Sequence, residues 1–387
     1  MFRTLAVLTV SLSALVCRFT VRDVGFVDLG DPTYKLYAFV SKNESPDAHA
    51  GIQRLSAALF AETNVEVELF DPDSEEEHDA YRLLGELKIQ DFPTTVLVHP
   101  DGHAIEVPID GKFDEVGGST LESVFLSPVR RRIIDGVLRR YCVVLLAEGS
   151  DPKENARVKQ SVNLAFKDIE RVFDKMPKAV GDLPEHLVIP QDGRKDEKIL
   201  LWSLGLATQS PSDGETLEPS IAVMFGRGRR FGPILDGAAI TQASVVGILA
   251  NAGQSCECEL DRSWMRGPRI PMRWDADTKQ KAVELLKFDP ENPLVKSEIS
   301  GILARGPKSS GGRSQEPTVA DLLGSYSEET IDSEPDEDPP TAVATTERQQ
   351  ENEDDANHTW HAMLWTLAGL LGLGVIAAFF VLSRARR

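Results

Sequence analysis

Cys256-Glu257-Cys258 is the set of side chains best equipped for chemistry in this chain of 387 residues. Two thiols one residue apart can close a small strained disulfide, and strained disulfides are the reducible ones. The same pair could supply half of a metal site completed by another chain or a distant histidine. It could also be an inert disulfide, or two buried thiols following a helix. Glu257 and Glu259 raise a neighbouring thiol's pKa, which works against a fast nucleophile and favours the structural reading. With Cys17 and Cys142 the total is four cysteines, too sparse for a disulfide-stapled scaffold.

The other chemistry-bearing residues are weaker signals. Arg227, Arg229 and Arg230 stand among Gly226, Gly228 and Gly232, but the spacing and trailing Lys-Ser/Thr of a phosphate-binding loop are missing. They are expected at a basic hairpin tip, able to dock an anionic partner or the chain's own acidic stretch. Trp264 and Trp274 alternate with arginines in Arg262-Ser263-Trp264-Met265-Arg266 and Ile270-Pro271-Met272-Arg273-Trp274, a composition common at protein contacts. That stretch is expected to lie as an extended lid over the second half of the fold. Histidines 49, 78, 99, 103, 186, 358 and 361 form no recognised metal-ligand spacing, and no Ser-His-Asp arrangement can be argued. No cofactor or metal is assigned.

The elements that would position these residues follow from hydrophobic periodicity. Strands are expected at Tyr34 to Val40 and Val65 to Phe70, with helices at Ala48 to Ala61 and His78 to Leu87. Phe92-Pro93 then opens the β-branched run Thr94 to Val98, Pro100-Asp101-Gly102 turns it, and Ala104 to Val107 return. Proline cannot donate to a ladder and so belongs at a strand start. Asp-Gly supplies the positive φ of a tight turn. A single helix is expected from Thr120 into Arg130-Arg131-Arg132. Tyr141 begins a second series: strand Cys142 to Ala147, helix Pro152 to about Lys175, strand His186 to Ile189 and helix Lys198 to Leu206. Pro219 then leads the strand Ser220 to Phe225. After the turn Gly226-Arg227-Gly228 come a strand around Phe231 to Ile234, a helix from Thr241 to Asn251, and closing helices at Asp277 to Leu286 and Pro293 to Ala304.

Both series run strand, helix, strand, helix, proline-led strand, turn, strand, helix. The order resembles the thioredoxin-like fold superfamily, used twice in tandem. That resemblance implies α/β modules at 33–138 and 141–305, with Pro93 and Pro219 as cis-proline candidates and Phe92 packed under the first module. The alternative is one larger α/β domain. Thioredoxin-like enzymes place Cys-x-x-Cys at the start of the helix after the first strand, where the helix N-terminus lowers the thiol pKa. The matching stretches here, Ser41-Lys42-Asn43-Glu44-Ser45-Pro46-Asp47-Ala48 and Glu148-Gly149-Ser150-Asp151-Pro152-Lys153, contain no cysteine.

The ends and the charge bound the location. Residues 1–17 read as a signal peptide: Arg3 precedes a short apolar core from Leu5 to Val16. Cys17 lacks the small preceding residue of a lipidation motif. Met363 to Leu382 is uncharged and long enough, at about 1.5 Å per residue, to cross a hydrocarbon core of about 30 Å. Trp360 and Trp365 flank one end and Arg384, Arg386 and Arg387 the other, which places residues 383–387 in the cytoplasm. Residues 306–359 read as a disordered acidic linker: from Glu316 to Asp355 there are fourteen acids against Arg348 alone, most of the net charge of -19. The remainder is only mildly acidic, which argues against nucleic acid as a partner. Asn43-Glu44-Ser45 and Asn357-His358-Thr359 fit glycosylation sequons.

The sequence therefore favours binding over catalysis. It describes a single-pass membrane protein holding two thioredoxin-like modules outside the cytoplasm (periplasmic or lumenal), as a binding or scaffold component for another envelope or membrane protein. One alternative is a membrane-tethered thiol-disulfide protein acting through Cys256 and Cys258. Another is a non-catalytic disulfide-isomerase relative that binds client chains. The topology predicts that protease added outside intact cells digests the linker and releases a fragment ending before Trp360. Protection of the whole chain would sink it.

Overall fold

The computed structural model describes residues 19–41, 46–74, 77–109, 113–176, 182–207, 216–254 and 262–304. The signal peptide, the linker, Met363 to Leu382, the basic tail, both sequon asparagines and the pair Cys256 and Cys258 all lie outside them. Among the described residues no helix is long and apolar enough to cross a membrane.

The first module is a four-stranded sheet. β1 (Tyr34–Phe39) pairs in parallel with β2 (Val65–Phe70) and antiparallel with β3 (Thr94–Val98), which pairs antiparallel with β4 (Ala104–Pro108), giving the order β2-β1-β3-β4. Alternation along β1 serves two layers, because successive side chains point to opposite faces. Tyr34, Leu36 and Ala38 pack with Ile52 of α2 (Pro46–Leu59) and Leu121 of α4 (Phe113–Ser123). Tyr37 and Phe39 face Ala80 and Leu83 of α3 (Asp79–Glu86) on the other side.

The single helix expected after β4 is two. α4 ends at Ser123, and α5 (Pro128–Arg139) starts afresh with Ser127 as its cap, accepting from Arg130 N at 3.1 Å, and Pro128 in the first turn. α5 also changes module. Its Ile133, Val137 and Leu138 pack with Val143 and Leu145 of β5 (Val143–Ala147).

The second sheet repeats the first: β6 (Glu185–Ile189), β5, β7 (Ser220–Phe225) and β8 (Arg229–Asp236) lie in the order β6-β5-β7-β8, with the same parallel and antiparallel pairings. One face carries α6 (Pro152–Val172) and α8 (Gln242–Ala252), with α10 (Pro293–Ala304) in the same core. The opposite face carries α5, α7 (Lys198–Leu204) and α9 (Ala276–Leu286).

Residues 19–28, which the sequence leaves ahead of the first module, are built into the second. α1 (Val21–Gly25) is capped by Thr20, and Phe19, Val21 and Val24 join the core of α6 and α8. Val21 N donates to Gln254 O at 3.0 Å and Arg227 N to Gly25 O at 3.0 Å. Gly25 and Gly226 meet main chain to main chain. Gly226 has φ +55°, and a Cβ on it would fall 2.2 Å from the Gly25 carbonyl carbon.

The stretch expected as a lid over the second module instead joins the two. Along 268–274, Met272 N donates to Asn64 Oδ1 (2.8 Å), Asn64 Nδ2 to Ile270 O (2.9 Å), Trp274 N to Glu62 O (2.8 Å) and Tyr34 Oη to Arg269 O (2.5 Å). Arg230 N donates to Pro268 O and Ile270 N to Gly228 O, both at 2.9 Å, fixing the same segment to β8 and its turn. From the other side Trp202 of α7 packs against the first module's core.

Two outcomes follow. Gly226→Ala sets a Cβ into the Gly25 main chain at a left-handed φ and is expected to cost more than about 2 kcal/mol, read as a lower urea midpoint. Gly85→Ala, with open space around its Cβ, is the control and leaves the midpoint level or higher. An unchanged midpoint for Gly226→Ala would contradict the seating of residues 19–28. The second outcome concerns acid. Burial, then the charge of Lys159, pushes His186 down to about 4, and its Nε2 is buried without a partner. The unfolded chain takes up this proton near pH 6.5 and the folded one only near 4. Stability is therefore fully present above about pH 6.5 and falls as the pH drops towards 4. His186→Gln is expected to flatten that fall in urea titrations between those values; an identical slope would refute the assignment.

Candidate functional site

In the second module the junction from β5 to α6 is where a thioredoxin-like enzyme would carry its thiols. Here Gly149, Ser150, Asp151 and Pro152 occupy it. The Asp151 carboxylate accepts from Lys153 N at 2.8 Å and caps α6. Buried Asn155 clamps Gly149 from both sides, its Oδ1 accepting from Gly149 N (2.8 Å) and its Nδ2 donating to Gly149 O (2.9 Å). Ser150 N donates to Leu217 O at 2.8 Å, and a Cβ on Gly149 would fall 2.3 Å from that same carbonyl oxygen, so the junction is held tightly against residues 217–219. The result is a cleft of about 400 Å³ lined by Glu148, Ser150, Asn155, Lys159, Gln191 and Asp192, with Lys159 paired to Glu148. Those side chains offer hydrogen bonds and charge, with no thiol or imidazole among them.

The Phe92–Pro93 peptide is cis. Among the described residues it is the only one, so Glu218–Pro219 is trans, against expectation. The trans form is the lower-energy default for an X-Pro bond by about 0.5–1 kcal/mol. It accommodates the bonds on either side, Leu217 O to Ser150 N and Pro219 O to Gly237 N. Phe92 is 38% exposed and so does not pack under the first module; the apolar positions there are filled by α3 and its neighbours.

The basic hairpin tip is no exposed contact patch. Arg227 is 6% exposed, donates through Nε to Phe26 O at 2.7 Å, and pairs with Glu291 and with Asp28 at 3.4 Å. Arg229 pairs with Asp31 and donates to Gly267 O (2.9 Å); Arg230 donates to Leu204 O (2.9 Å). Trp274 is 7% exposed, beneath the Arg227 guanidinium at 5.2 Å and against Phe26. Trp264 is half-buried, edge-on to Phe231 at 5.7 Å. Residues 19–31 cover the tip, and the sequence carried no signal that so short a segment would do so. Cys142 is a free thiol fully buried in the second core, and burial pushes its pKa up.

The fold also assembles a group that spacing alone did not single out. His99 follows β3, His103 precedes β4, and Asp101 sits between them on the turn. His99 N donates to His103 O and Gly102 N to His99 O, both at 2.8 Å, with Gly102 at φ +98°. The two imidazoles stack with centroids 4.4 Å apart, and both meet Trp202 of α7, at 5.8 and 4.8 Å. Asp101 accepts from His103 N at 3.2 Å, and its Oδ1 contacts both Nδ1 atoms. Burial pulls His99 below the ordinary imidazole range, against the pull of Asp101. Burial would raise Asp101, but the His103 amide and the two rings outweigh it and hold the carboxyl below its usual value. A His-x-Asp-x-His pattern across a Pro-Asp-Gly turn was the available signal.

Solved structures with a related arrangement include the first two thioredoxin domains of Eps1p from Naumovozyma dairenensis, at 14% identity over 53% of this chain and 84% of that chain, with a TM-score of 0.19. The same domains of Saccharomyces cerevisiae Eps1p match at 12% identity over 55% and 90%, TM-score 0.19. The zinc-bound form of human ERp44 matches at 13% identity over 62% and 61%, TM-score 0.21. No family model matches the chain, and neither does any curated protein. The order and pairing of its own two sheets give this chain a thioredoxin-like fold twice in tandem, with Cys-x-x-Cys missing from both first-helix starts.

Proposed function

We propose that this chain is a membrane-anchored, extracytoplasmic binding or scaffold protein whose thioredoxin-like modules take no part in disulfide exchange. The observation that carries the reading is the junction from β5 to α6. The position of a redox thiol is filled by a capped, glycine-tight turn clamped by Asn155. Exchange needs a thiolate at that place, and the sequence supplies none there in either module. What remains is a shallow polar cleft, flanked by the start of α6, with hydrogen-bonding groups suited to a polypeptide segment. Anchorage rests on Met363 to Leu382 and the arginines that follow, and the side of the membrane on the same charge asymmetry.

The test uses the full chain in its native membrane. A photo-crosslinking residue at Gln191 is expected to capture a discrete envelope or membrane protein, and the capture should persist in the Cys256→Ser, Cys258→Ser double variant. The purified chain should reduce insulin no faster than buffer. A partner trapped through Cys256 or Cys258 and released by dithiothreitol, together with insulin reduction lost in the double variant, would replace this reading with a thiol-disulfide protein.

A further inference from the structure

We propose that His99, Asp101 and His103 form a binding site for a divalent transition-metal ion of the zinc class at the junction of the two modules. One donor atom from each residue lies within 4.8 Å of the other two. His99 Nδ1 stands 2.7 Å from Asp101 Oδ1, and His103 Nδ1 contacts the same oxygen. Ligands held about 2.0–2.2 Å from zinc need side-chain shifts of about an ångström at most from such a cluster. Two imidazoles and one carboxylate suit zinc, cobalt or nickel ions better than magnesium or calcium, which prefer all-oxygen sites.

The hydrogen bonds around His99 set the state of its donor atom. Asp101 N donates to His99 Nδ1 at 3.2 Å, so that nitrogen presents a lone pair. The ring also has a hydrogen bond with the backbone of Ser203 in α7. A metal-ligating histidine is characteristically oriented by a second hydrogen bond of its ring.

The site is rigid where it needs to be and open where an ion must enter. His99 is 8% exposed, edge-on to Tyr34 at 5.2 Å and to Trp202, whereas the side chains of Asp101 and His103 are 59% and 43% exposed. The open side leaves room for water to complete the coordination. Because His99 bonds Ser203 and both rings touch Trp202, a bound ion would tie the β3–β4 turn of the first module to α7 of the second.

The experiment is a Co²⁺ titration of the metal-free full chain followed by visible absorption, with Zn²⁺ as competitor. The chain is expected to bind one Co²⁺ showing d–d bands without the charge-transfer band of a thiolate ligand, which separates this site from Cys256 and Cys258. His103→Ala and Asp101→Asn should each weaken that binding at least about ten-fold, with near-UV circular dichroism unchanged. Should His103→Ala disturb the fold, Asp101→Asn, which keeps the turn's hydrogen bond to His103 N, decides. Either folded variant binding Co²⁺ as tightly as the parent, or a parent that binds it only with a thiolate band, overturns the proposal.

Discussion

The last carbonyls of an α-helix have no partner within the helix, and several of them here lie in packed surroundings. Arginines from remote parts of the chain supply their donors. Arg22 donates to Leu138 O at 2.7 Å and Arg140 O at 3.0 Å at the end of α5, Arg273 to Leu59 O of α2, Arg230 to Leu204 O of α7 and Arg266 to Leu303 O of α10. Each places a positive charge at the negative end of a helix. Arg130 and Arg194 do the same for loop carbonyls, reaching Val124 O at 2.7 Å and Glu148 O at 2.5 Å. A hydrogen bond to a charged group contributes about 1.5–3 kcal/mol net. Removing Arg22 or Arg130 would also leave a buried acceptor without its donor. The arrangement of both modules depends on this recurring contact.

The same contact explains why the arginines near Gly226 misled. From composition alone, Arg227, Arg229 and Arg230 beside glycines suggest a solvated tip. Their donors are consumed by Phe26 O, Gly267 O and Leu204 O, and their charges by Asp28, Asp31 and Glu291. None of those partners is near in sequence, so no local pattern could announce them. The strands, by contrast, were legible because alternation and β-branching are local. Tyr34–Phe39, Val65–Phe70 and Ser220–Phe225 fall within a residue of where periodicity put them. α4 and α5 merged in the sequence because their patterns adjoin, although Ser127-Pro128 is a helix-start signal. The histidine cluster was half legible. Its spacing is written in the chain, but the convergence on one carboxylate oxygen comes from the turn, and Trp202 and Ser203 arrive from the second module.

The two modules share a topology and differ at the places where such a fold carries function. The first has a cis peptide before β3 and a histidine-flanked turn after it; the second has a trans peptide at the same place and a glycine turn covered by residues 19–28. Trp202, Tyr34 and the segment 268–274 place aromatic packing and main-chain bonds across one boundary, and the cleft at Glu148 and Lys159 lies apart from it.

Residues 19–28 are among the earliest described residues to leave the ribosome, yet every surface they rest on is made much later. Val21 waits for Gln254, Gly25 for Arg227, and the bridge from Arg227 for Glu291. The first module lies wholly between these ends, so it can assemble while both halves of its neighbour's core are still apart. The second sheet then has to close around a strand of chain already 200 residues behind it, a loop-closure step whose entropy grows only slowly with that separation. During that interval Phe19, Val21, Val24 and Phe26 remain uncovered. The order of the chain thus parts the first apolar contributors to the second core from the surfaces that bury them.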